Sequence, residues 1–421
     1  MPHDTIHEAA AALRRGDTTP VDLVRDCFAR IDEWEPKVRA WVLVDRDLAL
    51  AQAELRTREL KAGQDRGPLH GIPLGVKDIF DVADWPTAAG SRRWAGSIAR
   101  EDAPIVARLR QAGAIFLGKT VTTAFASFDP PVTRNPCDLD HTPGGSSSGS
   151  AAAVATRMCL GALGSQTGGS ITRPASYCGV AGCKPSYGLL PLAGIVPLAP
   201  SMDHPGPIAR CVRDLRTMLE VMGGISLPTT AAKSPRLLRI RGIFEKLADE
   251  SVRSAFDATC GRLRAEGVEI EEFALPASFD DVIRRHRVVM AVESATWHRE
   301  RFARYPDDYP PRIRELIEEG LRCPPAEYAA TKDHQRALSA ELAELPGILL
   351  TPATTGPAPL ADTTGNPAFN SPWSYVGLPT VSFPTGQRIG KLPLAIQLVG
   401  SRLGEAELFA VAERCESALT G

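Results

Sequence analysis

Two glycine-rich loops hold the residues best suited to chemistry. They lie in TPGGSSSGSAAAVATRMCLGALGSQTGGSITRPASYCGVAGCKPSYG, residues 142–188. Gly144-Gly145-Ser146 precedes an Ala-rich helical stretch, and Gly168-Gly169-Ser170 follows it by way of Gly164-Ser165-Gln166-Thr167. Glycine adopts torsions barred to other residues and lets the backbone approach a ligand closely. Successive N–H groups near Gly168 and Gly169 can converge on one developing oxyanion. A serine at the end of such a loop can act as a nucleophile. One Gly/Ser turn alone reads as a solvated loop. Two of them around a helix in an apolar α/β context point to a site.

A serine nucleophile needs a base. The common one is His supported by Asp. Gly145-Ser146-Ser147-Ser148-Gly149 fits the G-x-S-x-G elbow, with Ser147 as nucleophile. That elbow follows a buried strand, whereas NPCDLDHTP is polar and holds two prolines. Asp203-His204 lie in the turn-like SMDHPGP, where a structural role fits better. Lysine is the other option. It must be neutral to accept a proton, which requires burial or a cationic neighbour. Lys77 in GIPLGVKDIF has apolar sequence neighbours compatible with burial, although a surface lysine is the ordinary case.

GAIFLGKT, residues 113–120, matches the P-loop spacing G-x-x-x-x-G-K-[ST]. Its context is wrong for a phosphate cradle. Gly113 follows a helical pattern and reads as a helix C-cap. Ala114, Ile115, Phe116 and Leu117 form an apolar, β-prone run suited to a buried strand. VTTAFASFDPP then replaces the expected helix. Lys119 reads as a strand-end residue.

Helical patterns at 4–15, 20–34 and 46–62 are followed by alternating helices and short apolar strands, the signature of an α/β protein. Thr19 and Pro20 suit the N-cap and first position of the second helix. Strands are expected before Lys77 and over AIFLGKT, RLLRIRG, GILLTPA, LPTVSFP and LPLAIQLVG. Helices are expected over PIVARLRQAG, 207–222, SVRSAFDATCGRLRAEG, most of 279–344 and the C-terminal EAELFAVAERCESAL. The 421 residues are 43% apolar and 23% charged, with net charge −2. That balance argues against a nucleic-acid or anionic-membrane partner. No apolar leader or membrane span is expected. Nine cysteines without ligand spacing read as free thiols in a reducing cytosol, and Cys178 and Cys183 as small buried hydrophobes.

Taken together, GIPLGVKD, AGAIFLGKT, TPGGSSSGSAAAVA, GSQTGGSITRPASYCGVAGCKPSYG and LPLAIQLVG resemble the amidase signature family, in the family's order along nearly the whole chain. The resemblance implies one α/β/α domain over 1–421 around a large mixed sheet covered by helices. Within it, 1–65 would be N-terminal helices, 66–215 the catalytic core, 225–345 a variable substrate-shaping region and 346–421 the rest of the core. It implies a Ser–cis-Ser–Lys triad: Ser170 as nucleophile, Ser146 as the bridging serine after a cis peptide bond, and Lys77 as base. Thr167, Gly168 and Gly169, with Ser170, would supply the oxyanion hole. No metal or organic cofactor is implied. The partner would be a small-molecule amide, and the protein a monomer or homodimer.

Some positions depart from the common pattern. Gln166 stands where many members have Asp, and Thr172 where many have Arg, with Arg173 one place later. That suggests a replaced ion pair beside the nucleophile. Val121 and Ala124 replace polar residues, so a polar substrate contact would be lost. Phe369, Trp373 and Tyr375 are candidates for an apolar pocket wall or for core. The main expectation is a free-standing amide hydrolase. The rival is the glutamine-hydrolysing component of a tRNA-dependent amidotransferase. A P-loop protein and a non-catalytic scaffold are the other readings.

Overall fold

A computed structural model describes residues 3–228 and 236–420. Its centre is an eleven-stranded mixed sheet in the order β1-β3-β2-β4-β6-β5-β10-β11-β9-β7-β8. The strands are β1 (Trp41–Val44), β2 (Pro73–Lys77), β3 (Ile115–Thr120), β4 (Gly161–Gln166), β5 (Ala181–Lys184) and β6 (His204–Ala209). They continue with β7 (Arg236–Ile240), β8 (Glu269–Phe273), β9 (Ile348–Pro352), β10 (Thr380–Ile389) and β11 (Leu392–Val399). β2 runs parallel to both β3 and β4, which places it inside the sheet.

The helices are α1 (Ile6–Arg15), α2 (Pro20–Val38), α3 (Arg46–Lys61), α4 (Pro104–Gln111), α5 (Ser148–Ala155), α6 (Thr172–Cys178) and α7 (Val212–Gly223). After them come α8 (Ile243–Lys246), α9 (Glu250–Ala265), α10 (Val282–Arg304), α11 (Pro311–Arg322), α12 (Pro325–Glu341), α13 (Ser371–Tyr375) and α14 (Glu405–Thr420). Strand periodicity assigns them to two layers, because alternate side chains leave a strand on opposite faces. Ile115 and Leu117 of β3 join one core with α2, α3 and α5. Phe116, between them, joins the other core with α1, α4 and α7. α5 is rich in alanine because it is enclosed: Ser148 through Val154 are all buried. Among the described residues no helix is long and apolar enough to cross a membrane.

Local signals hold where the backbone chemistry is specific. Thr19 Oγ1 accepts from Asp22 N at 3.2 Å, and Asp22 Oδ2 accepts from Thr19 N at 3.0 Å, a reciprocal cap with Pro20 as the first helical residue. Gly113 has φ +83° and closes α4, with Gly113 N donating to Arg110 O at 3.0 Å. GAIFLGKT therefore runs from a helix cap into a buried strand, and no phosphate nest forms there. A Cβ on Gly118 would lie 1.9 Å from Leu43 O, so this glycine serves the contact of β3 with β1. Lys119 is buried at the strand end, 3.1 Å from Asp78 Oδ1, and donates to Pro86 O at 2.8 Å.

Two expectations need correction. The stretch 207–222 is not one helix: Pro207–Ala209 end β6, and α7 starts at Val212. Pro205 and Pro207 hide that strand in the sequence. β5 pairs only with Ile208 and Ala209, so both prolines lie beyond that ladder. The two serine loops are separated by more than a helix, because β4 (GALGSQ) lies between α5 and the second loop. Its glycines and polar ends conceal a central strand.

Gly118→Ala should force β1 away from β3 and cost about 1–3 kcal/mol or more, read as a lowered Tm; an unchanged Tm would refute the contact. Lys119→Ala should cost about 3–5 kcal/mol by stranding Asp78. ATP or GTP should leave the wild-type Tm unmoved, and a nucleotide-dependent rise lost in Lys119→Ala would restore the P-loop reading.

Candidate active site

Lys77 is the last residue of β2, fully buried, and β3 and β4 flank it. Its Nζ donates to Ser146 Oγ at 2.7 Å and to Ser165 Oγ at 2.8 Å. Burial pushes its pKa well below the ordinary lysine value of 10.5, and Asp203 opposes this only in part. Ser146 precedes α5 and follows a cis Gly145–Ser146 peptide bond. Its neighbour Ser147 donates its N–H to Ser170 O at 3.3 Å, which brings the two loops together. Ser170 keeps 8% exposure, whereas Lys77 and Ser146 have none.

The backbone around Ser170 is held from several sides. Thr167 Oγ1 hydrogen-bonds Asp203, whose carboxylate also accepts from Leu198 N at 2.9 Å and Ala199 N at 3.1 Å. Burial raises the Asp203 pKa, and these donors offset part of the rise. His286 Nε2 lies 2.8 Å from Thr167 O, and Ser374 Oγ donates to Gly168 O at 3.1 Å. A Cβ on Gly169 would fall 2.7 Å from Asn370 Oδ1, so a side chain has no room there. Among the described residues, the N–H groups of Gly168, Gly169 and Ser170 donate to no protein acceptor. Three donors on successive residues are therefore free for an anionic or carbonyl oxygen.

The departures from the family pattern form a neutral arrangement. Gln166 Oε1 accepts from Ile171 N at 2.9 Å, Thr172 N at 3.0 Å and Thr172 Oγ1 at 3.1 Å. The Gln166 amide oxygen thus caps the start of α6 and also accepts from the Thr172 hydroxyl, at the two positions where many family members carry an acid and a base. Arg173 turns elsewhere, to Gly145 O at 2.8 Å and Gly365 O at 2.9 Å. Burial pushes its pKa down to about 10.

The weaker sequence candidates are placed differently. Ser147 Oγ points back to the β4 backbone, 3.2 Å from Ser165 N, so it is no exposed elbow serine. His204 Nδ1 lies 2.6 Å from Met202 O, and burial holds the ring neutral, well below its usual pKa of 6.5. Cys178 and Cys183 are buried free thiols with pKa values raised by burial. Val121 and Ala124 are buried as well. Phe369, Trp373 and Tyr375 are core: Trp373 stacks on Phe244 at 5.8 Å, and all three are 0–1% exposed. The pocket-wall alternative fails for them because α13 and the turn before it hold these rings inward, and none of the three lines the cleft.

A cleft of about 710 Å³ opens between α10, α11 and the loop 363–371. Phe128, Ile283, Met290, Ala291, Pro367 and Ala368 supply its apolar lining. Three of its lining residues, Thr364, His286 and Pro367, neighbour the serine loops. A Cβ on Gly145 would lie 2.8 Å from Thr364 Cγ2, and one on Gly168 would lie 3.7 Å from both His286 Cε1 and Pro367 Cβ. Ser165, His286 and Asn370 are site neighbours that no sequence pattern singled out. Ser165 lies within the glycine-serine stretch, but only the β4 backbone aims it at Lys77. His286 and Asn370 carry no local signal, since they arrive from elements remote in sequence.

One trio among the described residues has metal-ligand character. His7, Cys211 and Asp214 place ligand-type atoms within 4.8 Å of one another. Asp214 uses its carboxylate to accept from Ile6 N at 2.8 Å and His7 N at 3.1 Å, which docks α1 on α7.

The sequence model of the family described as Amidase matches residues 22–409. The A component of the glutamyl-tRNA(Gln) amidotransferase of Geobacter metallireducens is 31% identical, over 98% of this chain and 97% of its own. A solved structure described as an amidase superposes with TM-score 0.91 at 33% identity, covering 99% of this chain and 100% of that one. The native peptide amidase of Stenotrophomonas maltophilia superposes with TM-score 0.82 at 26% identity, covering 99% and 96%. With the family match over nearly its whole length and this shared mixed-sheet fold, the chain belongs to the amidase signature family and is a hydrolase of amide bonds by that membership.

Proposed function

We propose that the protein hydrolyses the amide bond of a small, largely uncharged molecule through Ser170, Ser146 and Lys77. The observation that carries this reading is the 2.7 Å contact of a fully buried Lys77 Nζ with Ser146 Oγ. A buried amine with hydroxyl partners favours its neutral form, which can accept a proton. Lys77 takes the Ser146 proton as Ser146 takes that of Ser170. Ser170 Oγ bonds to the amide carbon, and the carbonyl oxygen gains charge. The N–H groups of Gly168, Gly169 and Ser170, with that of Thr167, stabilise it. The proton returns through Ser146 to the nitrogen as the C–N bond breaks. Water then cleaves the Ser170 ester by the same relay and releases the acid.

The cleft supports an uncharged substrate. Its apolar residues outnumber free charges, and two of its cations are already paired. Arg287 is bidentate with Glu319 at 2.8 and 2.6 Å, and Arg284 with Asp281 at 2.8 and 2.7 Å. A second reading is glutamine hydrolysis in an amidotransferase complex. Arg312 favours it: the guanidinium lines the cleft without a carboxylate partner among the described residues. Its Nη atoms, however, donate to Phe128 O, Thr363 Oγ1 and Asp362 O at 3.1–3.4 Å, which leaves little capacity for an α-carboxylate.

Hydrolysis of a panel of p-nitroanilides, primary amides, carbamates and glutamine should show turnover of an uncharged amide. Ser170→Ala should lower kcat/KM by about a thousandfold or more. Glutaminase activity seen only with added partner subunits would replace this reading with the amidotransferase one. The pH profile follows from Lys77. Protonation removes the base, so kcat/KM should fall on acidification through the Lys77 pKa, below the 10.5 of free lysine. A profile flat from acid to alkaline pH would exclude Lys77 as the base.

A further inference from the structure

His286 lies on α10, in the variable stretch, yet its ring closes on the second serine loop. The ring is 4% exposed and lines the cleft. Its Nε2 is 2.8 Å from Thr167 O. A carbonyl oxygen only accepts, so Nε2 bears the hydrogen and Nδ1 keeps its lone pair. Burial, the largest influence on this ring, holds its pKa down at about 4, so it is neutral near pH 7. Nδ1 has no protein partner among the described residues, and it is not among the sealed polar atoms left unpaired. It therefore opens to the cleft, beside a ring edge that faces Gly168.

We propose that His286 Nδ1 is a specificity-determining acceptor that takes a hydrogen bond from an N–H on the acyl portion of the substrate, next to the carbonyl under attack. The inference rests on the hydrolytic reading above. In that reading Ser146 returns a proton to the leaving nitrogen, so the leaving group faces Ser146. His286 meets Gly168 instead, on the side left to the acyl portion. An acyl group lacking the N–H leaves the Nδ1 lone pair desolvated and unpaired when it fills the cleft. That costs more than the absence of one attractive contact. The same ring, through Nε2, positions the carbonyl of Thr167. The two ring nitrogens thus have separable roles.

The test compares N-benzoylglycinamide with its N-methyl counterpart, N-benzoyl-N-methylglycinamide, in full-length wild type, His286→Gln and His286→Asn. Wild type should prefer the N–H compound by about tenfold in kcat/KM. The Gln amide reaches the position of Nε2 and can still donate to Thr167 O, but it leaves the Nδ1 position empty. Its preference ratio should fall to near one. Asn places its amide near the Nδ1 position, so it should keep the preference while slowing both compounds alike. If turnover of the pair is slow, the same ratio is read from their Ki values against the best amide of the panel. Equal kcat/KM or Ki for both compounds in wild type, with Ser170-dependent hydrolysis intact, overturns this inference alone. A ratio unchanged in His286→Gln overturns it too. Absence of Ser170-dependent hydrolysis of every amide tested overturns the hydrolytic reading together with it.

Discussion

Everything around the serine loops depends on keeping one lysine buried without a carboxylate in contact. Lys77 and Lys119 end neighbouring parallel strands, one residue out of step: Val76 pairs with Lys119 and Lys77 with Thr120. Both are buried, and burial depresses both. Their partners separate them. Asp78, the residue after Lys77, turns to Lys119 and pairs at 3.1 Å. Lys77 is left with the hydroxyls of Ser146 and Ser165. An ion pair lowers the cost of a buried ammonium, and hydroxyls lower it far less. The same residue type is thus paired with a carboxylate on β3 and left among hydroxyls on β2.

The second constraint is steric. The loops can converge only where side chains are absent. Gly169 lies against Asn370, and Gly145 against Thr364. These contacts bring the C-terminal part of the chain onto the loops, and Arg173 ties the same loop 363–371 to Gly145 by hydrogen bonds to both. Gln166 caps α6 without charge, and the Thr172 hydroxyl donates to the same amide oxygen. Asp203, the carboxylate nearest this loop, is spent on Thr167 and two backbone N–H groups.

The cleft belongs to a different part of the chain from the serines. α10 and α11 form one wall, and their apolar faces pack on each other through Ala291, Ala295 and Gly320, where a Cβ on Gly320 would fall 2.0 Å from Ala291 O. Through His286 this wall touches the second serine loop, at Thr167 O. A change in α10 can therefore reach the second serine loop through the His286–Thr167 hydrogen bond, without altering any residue in the loops.

By itself the sequence determined what depends on backbone chemistry and short-range spacing. The Thr19–Pro20 helix start, the Gly113 cap, the strand nature of AIFLGKT and the glycine-serine loops are local consequences of residue type. The resemblance carried by ordered motifs extended this to the family and the fold, and it singled out Lys77, Ser146 and Ser170 as the residues to test. Tertiary structure decided the rest. β4 and β6 escaped notice because glycine and proline weaken the strand signal, and only pairing within the sheet overrides it. The packing of α13 and the turn before it made Phe369, Trp373 and Tyr375 core, since an aromatic residue looks the same in a wall and in a core until its neighbours are known. Ser165, Asn370 and His286 reach the site from separate elements, and no local spacing encodes a contact closed across 119 residues, as from Thr167 to His286. The same holds for charge: whether a lysine is paired with Asp78 or left among serines is a property of what the fold packs around its nitrogen.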